Sequence, residues 1–160
     1  MSKYNDLIKK QDSRARRKNI SELAKIQNKS IDESLRLNEL ILLEIKNILE
    51  TKGKKYNATK GHSGVYRLGD CYSNAADLMN KYDYVEGYAV SKSSLHKIAH
   101  AWNVDFNGNH IDYTLTDPEE YDYVGVVIPK SLVYKVGLRR GGVWFSTLSF
   151  LDDSELKLLK

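Results

Sequence analysis

Three residue types that work together in acyl-transfer catalysis follow one another along the chain, at Cys71, His100 and Asp112. Cys71 is the only cysteine, so it forms no intrachain disulfide and is either a small buried side chain or a reactive thiol. A thiol attacks a carbonyl carbon as its thiolate, which a nearby imidazole and a helix N-terminus both favour. An aspartate that orients the imidazole would complete a catalytic triad.

The residues around Cys71 favour a nucleophile over a structural cysteine. Gly69 and Asp70 precede it, and Asp70 is a suitable N-cap for a helix predicted over residues 71–81. The sulfur then lies in the first helical turn, where the dipole and the free backbone N–H groups stabilise an anion. The same N–H groups are candidate donors to the oxyanion of a tetrahedral intermediate. A cysteine buried within a helix is the alternative, and the polar start of this helix argues against it.

His100 and Asp112 lie on two successive strands predicted at residues 99–105 and 109–115. His100 would take the thiol proton and later protonate the leaving group. Asp112 would orient the ring and stabilise its charged form. An isolated histidine is more often a core residue bonded to the backbone, but the acid on the next strand weakens that interpretation.

The turn between these two strands sets a geometric condition on the triad. Asn107-Gly108 predicts a hairpin. A loop of two residues places Asp112 on the sheet face away from His100, whereas a loop of three residues, 106–108, places both on one face as diagonal neighbours. The triad hypothesis therefore predicts the three-residue loop, with its glycine in the left-handed conformation.

A metal site is a competing hypothesis. His96 and His100 are four residues apart, and Cys71, His62 and His110 are further candidate ligands. The histidine pair leads into a predicted strand, where residues four apart need not converge on one ion, and the chain has no Cys-x-x-Cys or His-Glu-x-x-His pattern. We therefore expect no metal and no other cofactor, and we expect His110 at the surface of the hairpin.

Weaker signals concern contacts with a substrate. Glu86, Tyr72 and Trp102 are candidates to line a cleft beside the thiol, although aromatic residues in a small sheet are more often core. Tyr66 and Asn74 are candidates for a second oxyanion donor. The segment Arg139-Arg140-Gly141-Gly142 is typical of a turn with two exposed bases, which either contact an anionic group or are solvated.

The elements that must position these residues are helices followed by a sheet. Residues 20–52 have a helical pattern, residues 53–69 are predicted to be a linker, and a short helix is predicted to start at Ser149 or Asp152. This order is typical of an α+β domain. Antiparallel strands are predicted at residues 84–90, 99–105, 109–115, 123–128 and 142–145.

The N-terminal segment carries the excess charge of the chain. Residues 1–20 contain seven bases and two acids, while the whole chain has a net charge of +4, so the remaining residues are nearly balanced. This basic arm is either solvated or docks on nucleic acid or an acidic partner. Leu35, Leu42 and Leu49 are spaced seven apart. Residues 40–49 are apolar around most of the helix, and we favour a helix packed within the domain. The alternative is a short coiled-coil seam in an oligomer, formed by residues 31–49.

The composition is that of a single ordered domain. The chain has 160 residues, of which 41% are hydrophobic and 29% are charged. No apolar run reaches the roughly 20 residues that a membrane span requires. Residues 1–10 are polar and have no apolar region of the signal-peptide type. We expect no membrane association and a cytoplasmic location.

Four short motifs together resemble the transglutaminase-like core of the papain-like cysteine enzyme superfamily. They are Gly69-Asp70-Cys71, Val85-Glu86-Gly87-Tyr88-Ala89, His100-Ala101-Trp102 and Asp112-Tyr113-Thr114. The resemblance covers residues 65–128 and implies a Cys-bearing helix packed on an antiparallel sheet, with Cys71 as nucleophile, His100 as base and Asp112 as orienting acid. Two positions depart from the family pattern, because Tyr113 stands where proline is usual and Val65 where an oxyanion glutamine often stands.

These observations predict a cysteine-dependent enzyme that forms an acyl-enzyme intermediate. Its substrate would be an amide, isopeptide or thioester of a peptide, a protein or a small acyl compound. The catalytic core is predicted at residues 56–160, and residues 1–55 hold the basic arm and N-terminal helices packed on or next to it. The alternative is a catalytically silent binding module of the same fold, which acts through the basic arm on nucleic acid or a protein partner.

Overall fold

Helices and a curled sheet make up residues 43, 45–61, 66–143 and 145–159, which the computed structural model describes. The architecture is α+β, as predicted, and none of its described helices is long and apolar enough to cross a membrane. The strands are β1 (Lys54–Tyr56), β2 (Ala58–Lys60), β3 (Asp83–Ser91), β4 (Lys97–Val104), β5 (His110–Asp112) and β6 (Tyr121–Ile128). The helices are α1, described over residues 45–52, α2 (Cys71–Asp77), α3 (Lys130–Arg140) and α4 (Asp153–Leu156), with 3-10 turns at Pro118–Glu120 and Leu148–Phe150.

The strand order β1-β6-β3-β4-β5-β2 makes the sheet curl on itself. β1 and β2 are joined only by Asn57 but lie at opposite edges, so the two edges approach each other at that residue. The strand pairs are antiparallel except for β2 and β5, which run parallel. The prediction of an antiparallel sheet is therefore wrong in this pair. β1 and β2 lie within the predicted linker, and strands of three residues are too short to show an alternating pattern.

β3 is buried on both faces and separates two apolar clusters. Val85 faces the inside of the curl, where it packs with Trp102 and Tyr123 of the neighbouring strands. Tyr84 and Tyr88 face the opposite side, which the helices cover. The inner cluster and the helix-facing cluster therefore meet across this one strand.

Helix α1 packs its apolar side into the helix-facing cluster. Ile45, Ile48 and Leu49 are buried there, at the spacing of one helix face. These three residues lie at the C-terminal end of residues 31–49, for which a coiled-coil seam in an oligomer was the alternative. This end of the segment packs within the chain. Residues 1–42, which include the basic arm, lie outside the described residues. β1 spans the domain boundary predicted between residues 55 and 56.

The segment after β6 differs from its prediction. Helix α3 was not predicted, because Val133, Val136 and Gly137 are poor helix formers, although their spacing places them on one buried face. Gly141 ends this helix in the left-handed conformation, with a φ of +79°. Val143 then packs back onto Gly137. The strand predicted over residues 142–145 is therefore wrong at its described positions.

The two arginines before this turn hold α3 and the C-terminal segment together. Arg139 pairs with Glu155 through two nitrogen–oxygen contacts of 3.1 Å each. The Arg140 guanidinium lies over the Phe150 ring, 4.3 Å from its centre. The bases of the predicted turn belong to the last turn of a helix that faces α4. Arg139 is 40% exposed and contacts a carboxylate of this chain, whereas Arg140 is partly buried. Asp152 caps α4, as predicted, through a reciprocal capping box with Glu155.

Candidate active site

Cys71 is the first residue of α2 and is only 8% exposed. Asp70 occupies the predicted N-cap position, but its side chain caps no amide of the helix. The Asp70 carboxylate pairs with Arg67 in the preceding loop, with Oδ2 and Nε 3.2 Å apart. The helix covers seven residues and ends at Asp77, four residues before its predicted end, because turns follow it.

The hairpin between β4 and β5 has the three-residue loop that the triad requires. Val104 pairs with His110, and the Asp105 amide donates to the Asn109 carbonyl at 3.0 Å, so residues 106–108 form the loop. The glycine of this loop has a φ of +83°, in the left-handed region. The predicted register is therefore confirmed, and it places the candidate histidine and aspartate on one face of the hairpin.

His100 and Asp112 form a short, buried hydrogen bond. His100 Nε2 donates to Asp112 Oδ2 at 2.6 Å, and the two side chains are 3% and 0% exposed. Cys71 lies close enough to the same imidazole to contribute to the raised pKa of the ring. Because Asp112 occupies Nε2, Nδ1 is the ring nitrogen left for the sulfur. The structure thus brings together the three residues in the order thiol, imidazole, carboxylate.

β5 ends before it reaches His100, which leaves space for Cys71 next to the imidazole. β5 pairs with β4 only at Asn103 and Val104, so within the described residues no strand covers that side of β4 at His100. Helix α2 packs along β4, and Asn103 Nδ2 donates to the Ala75 carbonyl at 3.0 Å. The start of α2 therefore reaches the histidine at an open strand edge.

Asp112 is held by donors on both of its carboxylate oxygens. The amides of Thr114 and Leu115 donate to Oδ1 at 2.8 and 3.2 Å. The Tyr123 hydroxyl donates to Oδ2 at 2.7 Å. Burial alone would raise the pKa of Asp112, but the hydrogen bond and charge of His100, together with these donors, lower it. Asp112 is therefore a carboxylate at neutral pH.

The surroundings of His100 favour its protonated form. Burial lowers the pKa of the ring, but the hydrogen bonds and charges of Asp112 and Cys71 outweigh burial and raise this pKa to about 9. An imidazolium held between a carboxylate and a sulfur stabilises a thiolate. The ring next to Cys71 is therefore protonated at neutral pH.

Asn74 ties the helix that begins at Cys71 to the turn after Asp112. Its Nδ2 donates to Thr114 Oγ1 at 3.0 Å and to the Arg67 carbonyl at 2.9 Å. Asn74 is buried, and its amide group is engaged in these bonds. The residue that the sequence suggested as an oxyanion donor thus lies beside the site and holds two of its segments together.

Glu86 is fully buried on the helix-facing side of β3. Its carboxylate accepts hydrogen bonds from the Tyr84 hydroxyl at 3.2 Å, the Thr147 amide at 2.8 Å and the Ser146 hydroxyl. Burial raises the pKa of Glu86 to about 7, against the opposite effect of these donors. These contacts anchor the segment after α3 to the sheet.

Tyr66 and Tyr72 are partly exposed and lie on either side of Cys71 in the chain. The Tyr66 ring packs against Tyr113, with ring centres 4.8 Å apart. Burial and the nearby charges of Glu86 and Cys71 raise the pKa of Tyr72. Both tyrosines predicted as substrate contacts are therefore at or near the site.

His110 is buried, and the prediction that it lies at the surface of the hairpin is wrong. Its ring stacks on Tyr56 with centres 3.8 Å apart, and its Nδ1 accepts a hydrogen bond from Trp102 Nε1 at 2.8 Å. Burial lowers the pKa of His110 to about 4, so the ring is neutral at pH 7. β1 and β2 cover it, and they come from the segment predicted as a linker. Trp102 is buried beside it in the inner cluster.

No three histidine, cysteine, aspartate or glutamate side chains of the described ranges are grouped as ligands for a metal ion. His96, one of the candidate ligands, is exposed. His62 and Val65 lie outside the described residues.

Comparisons of the chain with protein-family models, with curated proteins and with solved structures find no match. The resemblance to transglutaminase-like enzymes therefore rests on the four sequence motifs alone.

Proposed function

We propose that this protein is a cysteine-dependent acyl-transfer enzyme, with Cys71 as nucleophile, His100 as acid and base, and Asp112 as orienting carboxylate. One observation carries the proposal. His100 Nε2 donates to Asp112 Oδ2 at 2.6 Å, and Cys71 lies close enough to the same ring to contribute to its raised pKa. A ring that is fixed at one nitrogen can exchange a proton at the other without turning away from the nucleophile.

The proposed reaction has two stages. The Cys71 sulfur bonds to the carbonyl carbon of an amide, isopeptide or thioester, and the carbonyl π electrons move to the oxygen. When these electrons return, the bond to the leaving group breaks, and the departing amine or thiol takes the proton held by His100. Water or an amine then gives a proton to His100 and attacks the acyl-enzyme, and the sulfur leaves as thiolate. The products are a free acid or a transferred acyl group.

A papain- or transglutaminase-like core belongs to the same proposal. It is supported by the chain order of the site, with a cysteine at the first position of a helix, a histidine on a strand and an aspartate on the next strand. The parallel pairing of β2 with β5 departs from the antiparallel sheet that the resemblance implies. The proposed similarity to a papain- or transglutaminase-like core is therefore limited to α2, β4 and β5.

Two of the weaker sequence candidates fit a role in substrate contact. Tyr66 and Tyr72, which flank Cys71 in the sequence, are partly exposed residues. Glu86 and Trp102 are buried among protein partners, and we assign them to support of the fold. The substrate would therefore contact one or both of these tyrosines.

The reactivity of the single cysteine tests this proposal. Only a few per cent of a free thiol is ionised at pH 7, so Cys71 should react with iodoacetamide about tenfold faster than free cysteine. His100→Ala should remove this excess. His96→Ala changes an exposed histidine four residues away and should react like the wild type.

Slow alkylation of Cys71 in the folded wild-type protein would contradict the proposed enzymatic function and favour the catalytically silent binding module. Mass spectrometry of Asp112→Asn after incubation with cell extract provides a second reading. Because deacylation needs the oriented histidine, an acyl adduct should accumulate on Cys71 in this variant.

A further inference from the structure

We propose that Tyr123 is a positioning residue of the candidate triad, which fixes the Asp112 carboxylate for His100. This inference rests on the proposed function. The Tyr123 hydroxyl donates to Asp112 Oδ2 at 2.7 Å, and the same oxygen accepts from His100 Nε2 at 2.6 Å. A single carboxylate oxygen therefore receives both donors.

The packing of Tyr123 makes it a rigid support. Its side chain is 0% exposed in the inner cluster. Its ring meets Trp102 edge-on with centres 5.0 Å apart, and it lies 6.1 Å from the His100 ring. Its backbone pairs with Ala89 of β3 on one side and Tyr56 of β1 on the other. The hydroxyl therefore cannot turn away from Asp112 without disturbing a closely packed interior.

Tyr123 helps to fix the position of the carboxylate oxygen that accepts the hydrogen bond from His100. The two amide donors hold Oδ1 of Asp112, and the Tyr123 hydroxyl holds Oδ2, so the plane of the carboxylate is fixed. His100 Nε2 can then meet the carboxylate in one orientation, which leaves Nδ1 on the side of Cys71. The hydroxyl also shares the negative charge on Oδ2, which weakens the attraction of Asp112 for the imidazolium.

The titratable groups that act on His100 come from three elements. Asp112 of β5 and Cys71 of α2 act on it directly. Tyr123 of β6 acts through Asp112. Burial, together with the charge and hydrogen bond of Asp112, in turn raises the pKa of the Tyr123 hydroxyl. Loss of the Tyr123 hydroxyl should therefore leave more negative charge on Asp112 Oδ2 and raise the pKa of His100, although it also frees the carboxylate to turn.

Tyr123→Phe tests the proposal because it removes the hydroxyl and keeps the ring. The imidazole signals of His100, assigned with His100→Gln, should titrate about half to one pKa unit higher than in the wild type. Tyr84→Phe is the matched control, since Tyr84 is also buried and its hydroxyl donates to Glu86 Oε2 at 3.2 Å. Both variants lose a buried tyrosine–carboxylate bond, but only Tyr123→Phe should move His100. An unchanged titration of His100 in folded Tyr123→Phe overturns the proposal.

A second measurement does not depend on the folding of Tyr123→Phe. In protein labelled with carbon-13 at tyrosine Cζ, the Tyr123 signal should shift in Asp112→Asn, because the hydroxyl then meets a neutral amide. The absence of any shift would also overturn the positioning role.

The outcomes for the two proposals can be separated. A slow Cys71 thiol together with a shifted His100 titration leaves the positioning role and removes the enzyme. A reactive thiol together with an unchanged titration leaves the enzyme and removes the role of Tyr123.

Discussion

Asn74 Nδ2 lies 3.0 Å from Thr114 Oγ1, and this hydrogen bond joins the helix that begins at Cys71 to the turn that follows Asp112. The Thr114 amide in turn donates to Asp112 Oδ1 at 2.8 Å. Thr114 therefore links the helix of Cys71 to the carboxylate, with one hydrogen bond from its hydroxyl and one from its amide. We therefore expect the distance from the Cys71 thiol to His100 and Asp112 to depend on these two hydrogen bonds as well as on the backbone.

Asn74→Ala should weaken both the fold and the site. It leaves the Thr114 hydroxyl and the Arg67 carbonyl without their donor, which costs about 1–3 kcal/mol of unfolding free energy. The alkylation rate of Cys71 at pH 7 should also fall several-fold, because the thiol is no longer held against His100. Urea unfolding and iodoacetamide kinetics measure the two effects.

The exposed Asn80 provides the control for this prediction. Asn80→Ala should leave the unfolding free energy and the alkylation rate close to wild type. If Asn74→Ala is destabilised but its Cys71 keeps the full wild-type rate, the asparagine supports the fold and has no part in positioning the thiol.

Cys71, His100 and Asp112 could be predicted because each carries a local signal. The cysteine follows a glycine and a capping residue, and the hairpin turn relates the strand of the histidine to that of the aspartate. Tyr123 has no such signal, since Tyr121 precedes it two residues earlier on the same strand face. Only the curl of the sheet decides which hydroxyl reaches Asp112.

The missed parts of the fold have a related cause. β1 and β2 are polar three-residue strands whose stability comes from pairing with β6 and β5, which are distant in sequence. Helix α3 contains β-branched residues and a glycine, and its buried face overrides their low helix propensity. Burial of His110 follows from the missed strands, because they cover it.

Gly108→Ala should destabilise the protein by about 1–2 kcal/mol, because the residue has a φ of +83° and an L-residue is strained there. A Cβ at Gly108 would meet no atom within 4 Å, so the cost is backbone strain alone. Urea unfolding measures it, and Asn107→Ala in the same loop should cost less. A Gly108→Ala protein as stable as the wild type would contradict the loop conformation on which the register depends.

Glu86 should make stability fall as pH rises from about 4.5 to 7. The folded protein raises the pKa of this carboxyl from 4.5 to about 7, so it keeps a proton that the unfolded chain releases in this range. The contribution is complete below pH 4.5 and is lost as pH rises through 7. In Glu86→Gln this loss, of order 1–3 kcal/mol, should be absent from urea unfolding at pH 5 and pH 8.

Glu155→Gln is a matched control of opposite sign. The pKa of Glu155 is lowered, because its bonds with Lys135, Asp152 and Arg139 outweigh burial. The stability advantage of the wild type over Glu155→Gln should therefore be present above pH 4.5 and shrink as pH falls below it. Parallel pH profiles for the wild type and Glu86→Gln would show that Glu86 is ionised at pH 5 in the folded protein.

Asp112→Asn should lower the pKa of His100 from about 9 by roughly one to three units, because burial then acts against fewer opposing interactions. In the wild type the His100 contribution to stability is complete below pH 6.5 and is lost as pH rises through 9, while the Asp112 contribution is lost as pH falls below 3.8. The advantage of the wild type over Asp112→Asn in urea unfolding should therefore be largest between pH 3.8 and 6.5. Asp105→Asn, in the loop of the same hairpin, should leave the His100 titration in place. If Asp105→Asn shifts the pKa of His100 as far as Asp112→Asn does, then hairpin distortion, and not loss of the carboxylate, causes the shift.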